Sequence, residues 1–186
     1  MGTRNLTMVQ KDNQIKVAQY GQWDGYPSGQ GVTILEFCRD KDKIEKLNNK
    51  LNEVKFLDQN EVDKINAKLE RDDEETISLF YSFFSRDIGG KILANIINKQ
   101  GNIGLINKFS FGYDSLFCEW AYCVNLDTQK LEVYVGFNEK KLNENDRFYR
   151  EEVENGYYGV KLIKEYDLNN LPTEQDFINE LEKEED

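Results

Sequence analysis

Five side chains crowd one short stretch of this sequence with the chemistry of recognition: Gln19, Gln22, Trp23, Asp24 and Tyr26, inside Ala18-Gln19-Tyr20-Gly21-Gln22-Trp23-Asp24-Gly25-Tyr26-Pro27-Ser28-Gly29-Gln30-Gly31. Two carboxamides supply donors and acceptors for a polar ring or an amide. Trp23 and Tyr26 supply flat stacking faces. Asp24 accepts from a hydroxyl or amine, or acts as a base where burial raises its pKa. The competing reading is a structural turn, with Asp24-Gly25 and Pro27 as turn chemistry, the two aromatics as lids on a core, and the glutamines solvated.

A second cluster, Ser85-Arg86-Asp87-Ile88-Gly89-Gly90, precedes an amphipathic run. Free N–H groups at a helix start favour an anion, and Arg86 adds a bidentate contact to phosphate or carboxylate. Alternatively, Asp87 caps the helix and Arg86 pairs with a surface acid. Two glycines in a first helical turn cost roughly 1–2 kcal/mol against alanine, so something there requires them. Arg4, beside the opening strand, is the third candidate, as an arginine that reaches the same pocket or as a solvated terminal residue. Glu119, Trp120 and Tyr122 form a fourth group; period two puts Trp120 and Tyr122 on one face of a strand, which favours a core role.

Several reaction classes are excluded. The chain has no histidine among its 186 residues, which removes Ser-His-Asp and Cys-His catalytic units and histidine-ligated metals. Its three cysteines, Cys38, Cys118 and Cys123, lack the spacing of a zinc site and fit reduced thiols in a cytoplasm. No metal and no cofactor is expected. Carboxylates are too dispersed for paired acid–base work on glycosides. The net charge of −11 argues against duplex nucleic acid. That charge is uneven: residues 139–186 carry 7 basic and 15 acidic side chains, while residues 1–37 balance to zero.

The elements that must hold these groups follow from periodicity. Leu6–Gln10 and Ile15–Tyr20 predict a β-hairpin around Lys11–Gln14. Val32–Cys38, Asp40–Val54 and Asn60–Glu70 predict helices, and residues 39–75 read as a helical excursion outside the core, a small lobe over the loop. Thr76–Phe84 is intensely apolar and aromatic. Lys91–Lys99 predicts an amphipathic helix with Gly101 as its C-cap. Ile103–Ile106, Phe109–Tyr113, Phe117–Leu126, Leu131–Phe137 and Tyr157–Tyr166 predict strands, the middle pair a hairpin around Asp127–Lys130. Thr173 and Asp176 stand in capping relation at a last helix, and residues 182–186 read as a frayed acidic tail. The expected fold is a single α+β domain over 1–186, a mainly antiparallel sheet covered by helices, with a sandwich as the alternative architecture. No run of about 18 apolar residues suggests a membrane span, and the first residues match neither a signal peptide nor a myristoylation motif.

Gly2-Thr3-Arg4-Asn5-Leu6-Thr7 followed by the stretch at 18–31 resembles a family of uncharacterised proteins of phages, bacteria and some fungi, which open with GTR and carry QWDGYP- or HWDSYP-like signatures. Ser85-Arg86-Asp87 before a helix, Cys118-Glu119-Trp120-Ala121-Tyr122 and Leu131-Glu132-Val133-Tyr134 extend the resemblance over most of the chain, with the helical excursion its loosest part. It implies that the polar clusters share one framework and brings Arg4 and Arg86 to the stretch at 18–31. A weaker likeness is to N-terminal nucleophile hydrolases of the choloylglycine type. There the sequence departs at the residue that carries the chemistry: the corresponding first residue is Gly2, and Thr3 comes one position late.

The expected function is binding of a small polar or nucleotide-like ligand by Arg4, Gln19, Gln22, Trp23, Asp24, Tyr26, Arg86 and Asp87. In a phage setting, such a protein would sequester or antagonise a host defence signal. Two alternatives stand beside it: a hydrolase acting on an amide or phosphoester with Asp24 as base, and an acidic protein that blocks a host surface through its C-terminal third. A second copy of the chain or a host protein is the expected macromolecular partner, and no membrane is.

Overall fold

Parallel strands cannot be joined by a tight turn, and that rule explains the layout of this molecule. The structure, a computed structural model, describes residues 2–153 and 155–182. Strand β1 (Asn5–Lys11) pairs antiparallel with β2 (Gln14–Gly21) and parallel with β5 (Trp120–Asn125). Everything between residues 21 and 120 is therefore a long crossover, and it holds five helices: α1 (Val32–Arg39), α2 (Lys41–Lys50), α3 (Gln59–Leu69), α4 (Glu74–Phe83) and α5 (Ile92–Asn98). Strands β6 (Lys130–Val135) and β7 (Lys161–Asp167) complete a sheet of order β2-β1-β5-β6-β7, and α6 (Glu174–Leu181) closes the chain. Two three-residue strands, β3 (Val54–Phe56) and β4 (Ile103–Leu105), pair in parallel as a separate small sheet.

The fold is α+β with a mixed, mostly antiparallel five-stranded sheet. Alternation divides its side chains between two faces. Val9, Val17, Tyr122, Val124, Leu131 and Val133 meet Ile34, Leu35, Ile92 and Ile96 of the helices, and Phe177 of α6 joins them. Leu6, Met8, Ala18, Ala121 and Cys123 face the other way, under Cys118, Phe148 and Val160. A second full sheet does not form among the described residues, so the architecture is a helix-backed sheet and not a sandwich.

Turn chemistry fixes the two hairpins. Asp12 and Asn13 both take φ near +56°, as a two-residue type I′ turn demands. The Asp127 carboxylate, on the neighbouring hairpin tip, accepts from the amides of Asp12 (2.7 Å) and Asn13 (2.9 Å) and joins the tips. Asp40, Asp58 and Thr173 cap α2, α3 and α6 through their side chains.

Several expectations change. The run at 40–54 is helical only to Lys50; a 3₁₀ turn at Leu51–Glu53 leads into β3. The segment 39–75 thus does not lie wholly outside the core: Leu47 and Leu51 are buried in the main core, and α3 packs on α4 rather than over residues 18–31. The aromatic run from 76 is α4, capped by Asp73. Phe109–Tyr113 mimics strand alternation but forms a 3₁₀ turn, with Phe109 stacked on Phe148 at 4.9 Å and Phe111 edge-on to Tyr20 at 4.9 Å. Gly101 has φ +73° but lies beyond the true C-cap of α5, Lys99. Glu182 does not fray: its carboxylate accepts the Ser28 amide at 2.7 Å. Residues 183–186 of the expected tail lie outside the described residues.

Candidate functional site

The stretch at 21–31 leaves the sheet as a loop whose backbone groups find internal partners. The Asn5 carboxamide donates to the carbonyls of Gly21 (3.3 Å) and Trp23 (3.2 Å). The Gly25 amide donates to Thr3 O at 2.9 Å, and the Tyr122 hydroxyl, buried in the core, donates to Gly25 O at 2.8 Å. A Cβ at Gly25 would sit 2.7 Å from Thr3 O, so only glycine permits this approach. Asp24 takes φ +54°, a conformation Asp tolerates better than most residues, and its carbonyl accepts the Gln30 amide at 2.8 Å. Pro27–Gly31 then makes a π-helical turn that runs into α1.

Residues 85–90 dock on this loop across some 60 positions of sequence. The Gln22 amide donates to Arg86 O at 2.8 Å, and the Gln19 carboxamide donates to Ser85 O at 3.3 Å. The Trp23 indole N–H donates to the Asp87 carboxylate at 2.8 Å. Asp87 is thus a partner of Trp23 and caps no helix. The two glycines also find their reason. Gly90 N donates to Gln30 Oε1 at 2.7 Å, and side chains at Gly89 or Gly90 would overlap the Gln30 carboxamide or Ile34. A side-chain amide therefore occupies the place where an anion was expected, and α5, only seven residues long, presents no anion site of its own.

Beside this junction lies a cavity of about 210 Å³. Gln19, Tyr20, Phe83, Phe84, Arg86 and Lys108 are among the residues that line it. Lys108 is brought there by main-chain pairing, its amide donating to Ala18 O at 3.0 Å. Arg86 and Lys108 are exposed, and among the described residues neither has a carboxylate partner. Burial raises the Tyr20 phenol pKa, against the opposing positive fields of Arg4 and Arg86. Its hydroxyl donates to Gln22 Oε1 at 2.5 Å.

The expected site residues therefore separate. Gln19 and Arg86 line the cavity; Gln22, Trp23 and Asp87 build the junction that holds it. Arg4 stands to one side, its Nε 3.5 Å from the Glu119 carboxylate and its guanidinium 4.8 Å above the Phe117 ring. Asp24 and Tyr26 are exposed, and among the described residues the Asp24 carboxylate makes no hydrogen bond or ion pair. Trp120 and Tyr122 keep the core role that alternation suggested. Tyr20, Phe83, Phe84 and Lys108 are lining residues that sequence reasoning missed. The aromatic run at 76–84 was the one signal for two of them.

Among the described residues no group of Cys, Asp or Glu is placed to hold a metal ion, and no helix is long and apolar enough to cross a membrane. No protein-family model matches the chain, and no curated protein or solved structure shows significant similarity to it.

Proposed function

We propose that this protein binds a small anionic ligand with a planar ring, of nucleotide type, in the cavity beside the 19–23 and 83–87 junction. One observation carries the reading: in a chain of net charge −11, two cations that have no acidic partner among the described residues, Arg86 and Lys108, line the same cavity as the Gln19 carboxamide and the Tyr20 ring. The cations meet phosphate or carboxylate, Arg86 with a planar fork and Lys108 as a point charge. Phe84 and Tyr20 offer ring faces, and Gln19 reads a polar edge. At about 210 Å³ the cavity is smaller than the roughly 300–1,000 Å³ of sites for drug-sized ligands, so it takes one part of a nucleotide and leaves the rest at the surface. Together with the resemblance to phage proteins, this reading makes sequestration of a nucleotide signal the biological role.

The two alternatives draw less support. Hydrolysis would rest on Asp24, an exposed carboxylate whose backbone shapes the loop. The acidic C-terminal region engages its own molecule: Glu180 accepts from Tyr166 at 2.9 Å and pairs with Lys164, and Glu182 holds Ser28.

A thermal-shift panel of mono-, di- and cyclic nucleotides tests the proposal. A ligand at about a hundred times its Kd adds roughly 2.7 kcal/mol, a rise of roughly 5–10 °C for a chain this size. Arg86→Ala and Lys108→Ala are expected to weaken that ligand tenfold or more while the unliganded Tm stays put; Asp24→Asn leaves binding intact. No shift across the panel at saturating ligand overturns the reading.

A further inference from the structure

A mostly apolar recess of about 380 Å³, which shares Phe83 and Phe84 with the cavity beside Arg86, lies between α3, α4 and β4. Its walls are Leu57, Ile65, Leu79, Phe83, Phe84 and Ile103. Three lysines, Lys64, Lys68 and Lys99, stand at its edge with no acidic residue in the lining. Among the described residues none of the three makes an ion pair. Two acids outside the lining share their charge between these lysines and other partners: Lys64 adds to the pull that Lys55 exerts on Glu61, and Lys68 to that of Thr76 on Asp73. Glu61 pairs with Lys55 at 2.6 Å and completes the cap of α3; Asp73 caps α4 and accepts the Thr76 hydroxyl at 2.5 Å.

We infer that this recess binds a single unbranched alkyl chain bearing an anionic head, with the chain against the apolar walls and the head among the three lysines. The reasoning runs from what the lining lacks as much as from what it has. Besides the lysines only two polar side chains line it: Thr76 spends its hydroxyl on Asp73, which leaves the single carboxamide of Asn102 to read the edges of a polar ring. An aliphatic chain asks for none, and each buried CH₂ contributes about 0.8 kcal/mol. Lysine stems extend the apolar surface while their ammonium groups remain in water, which suits an amphiphile lying with its head at the mouth. In a chain this acidic, an apolar lining with three lysines and no acidic side chain favours anionic over neutral or cationic heads. The head is a carboxylate or a phosphate monoester, and the two are separable by experiment. This site is distinct from the nucleotide cavity and stands whether or not that cavity binds.

Isothermal titration of the full chain with octanoate, decanoate, dodecanoate and decyl phosphate, each below its micelle concentration, tests the inference; decanol and decyltrimethylammonium serve as head-group controls. Saturable one-to-one binding is expected, at least tenfold tighter for the anions than for decanol, and weakest for the cation. The Lys64→Gln/Lys68→Gln/Lys99→Gln variant is expected to bind decanoate no better than decanol while keeping its decanol affinity. Leu79→Glu is expected to remove both. Should the triple variant not fold by circular dichroism, each single Lys→Gln change is expected to cost about threefold in decanoate affinity. Absence of saturable binding, binding at several equivalent sites, or unchanged anion preference in the lysine variants overturns the inference.

Discussion

Gln30 shows how much a single carboxamide can organise. Its Oε1 accepts from Gly90 N at 2.7 Å, its Nε2 reaches Trp23 O at 3.4 Å, and so it joins the loop at 21–31 to the start of α5. Gly89 must pass it with φ +52° and with no side chain in the way. Gly89→Ala should therefore cost about 2 kcal/mol or more, from the left-handed backbone and the displaced carboxamide together. Gly101 provides the control: its φ is +73°, but nothing lies within 4 Å of where a Cβ would go, so Gly101→Ala should cost only about 1 kcal/mol. Urea unfolding of the two variants measures the difference, and equal losses would mean that Gln30 is not the constraint. In the sequence the glycine pair was visible as something needing a cause. The cause was not visible, because it sits some 60 residues away in a stretch where Gln30 looked like one more polar loop residue.

At the scale of elements, the sheet carries a buried polar network on the face away from the helices. Arg147 Nε donates to the Tyr134 hydroxyl at 2.8 Å and its Nη2 to Glu132 at 2.7 Å, while Asn125 donates to the other oxygen of Glu132 at 2.6 Å. Gln10 takes the remaining guanidinium nitrogen at 2.5 Å. All three guanidinium nitrogens are thus engaged, so the group acts as a clasp that ties the loop around Arg147 to β1 and β6. Glu132 is only 5% exposed. Arg147→Met should leave that carboxylate buried without its cation and cost about 3–5 kcal/mol, whereas Glu132→Leu combined with Arg147→Met should recover most of the loss. Chemical denaturation of the single and double variants checks this; additive losses would sink it. The strands and hairpins of this sheet were legible because their cues are local: alternation in β5 and β6, and turn residues at 12–13 and 127–130. The clasp was not, since Arg147 lies in a segment with no period at all. The same limit hid β3 and β4, whose three residues each become strands only by pairing with one another.

For the molecule as a whole, the buried thiols shape its response to alkali together with the buried phenols of Tyr122 and Tyr134, which burial also pushes up. Cys38, Cys118 and Cys123 are all buried and free. Burial pushes the Cys38 thiol up to about 12, and burial pushes Cys118 and Cys123 higher still. In the unfolded chain a thiol ionises near 8.5. The native state thus holds protons that the unfolded state gives up, so this stabilisation is fully present below about pH 8.5 and drains away as pH climbs towards and past 12. Each thiol contributes a slope of about 1.4 kcal/mol per pH unit in that window. Tm should accordingly fall steeply above pH 9, and a Cys38→Ala variant should show a shallower decline from its own lower starting point. At pH 8 a thiol reagent should label the native chain only as fast as it opens; rapid labelling without denaturant would contradict the burial.

Phe83 and Phe84 belong to the walls of both cavities, the one beside Arg86 and the one beneath Lys64, Lys68 and Lys99. A ring that lines two cavities cannot adjust to a guest in one without changing the shape of the other. Whatever factor a nucleotide changes alkyl-anion affinity by, the alkyl anion must change nucleotide affinity by the same factor, because linkage between binding equilibria is reciprocal. Two titrations, each repeated with the other compound saturating, would give that factor twice, and the end of α4 would then be the hinge through which a hydrophobic metabolite reports to a charged one.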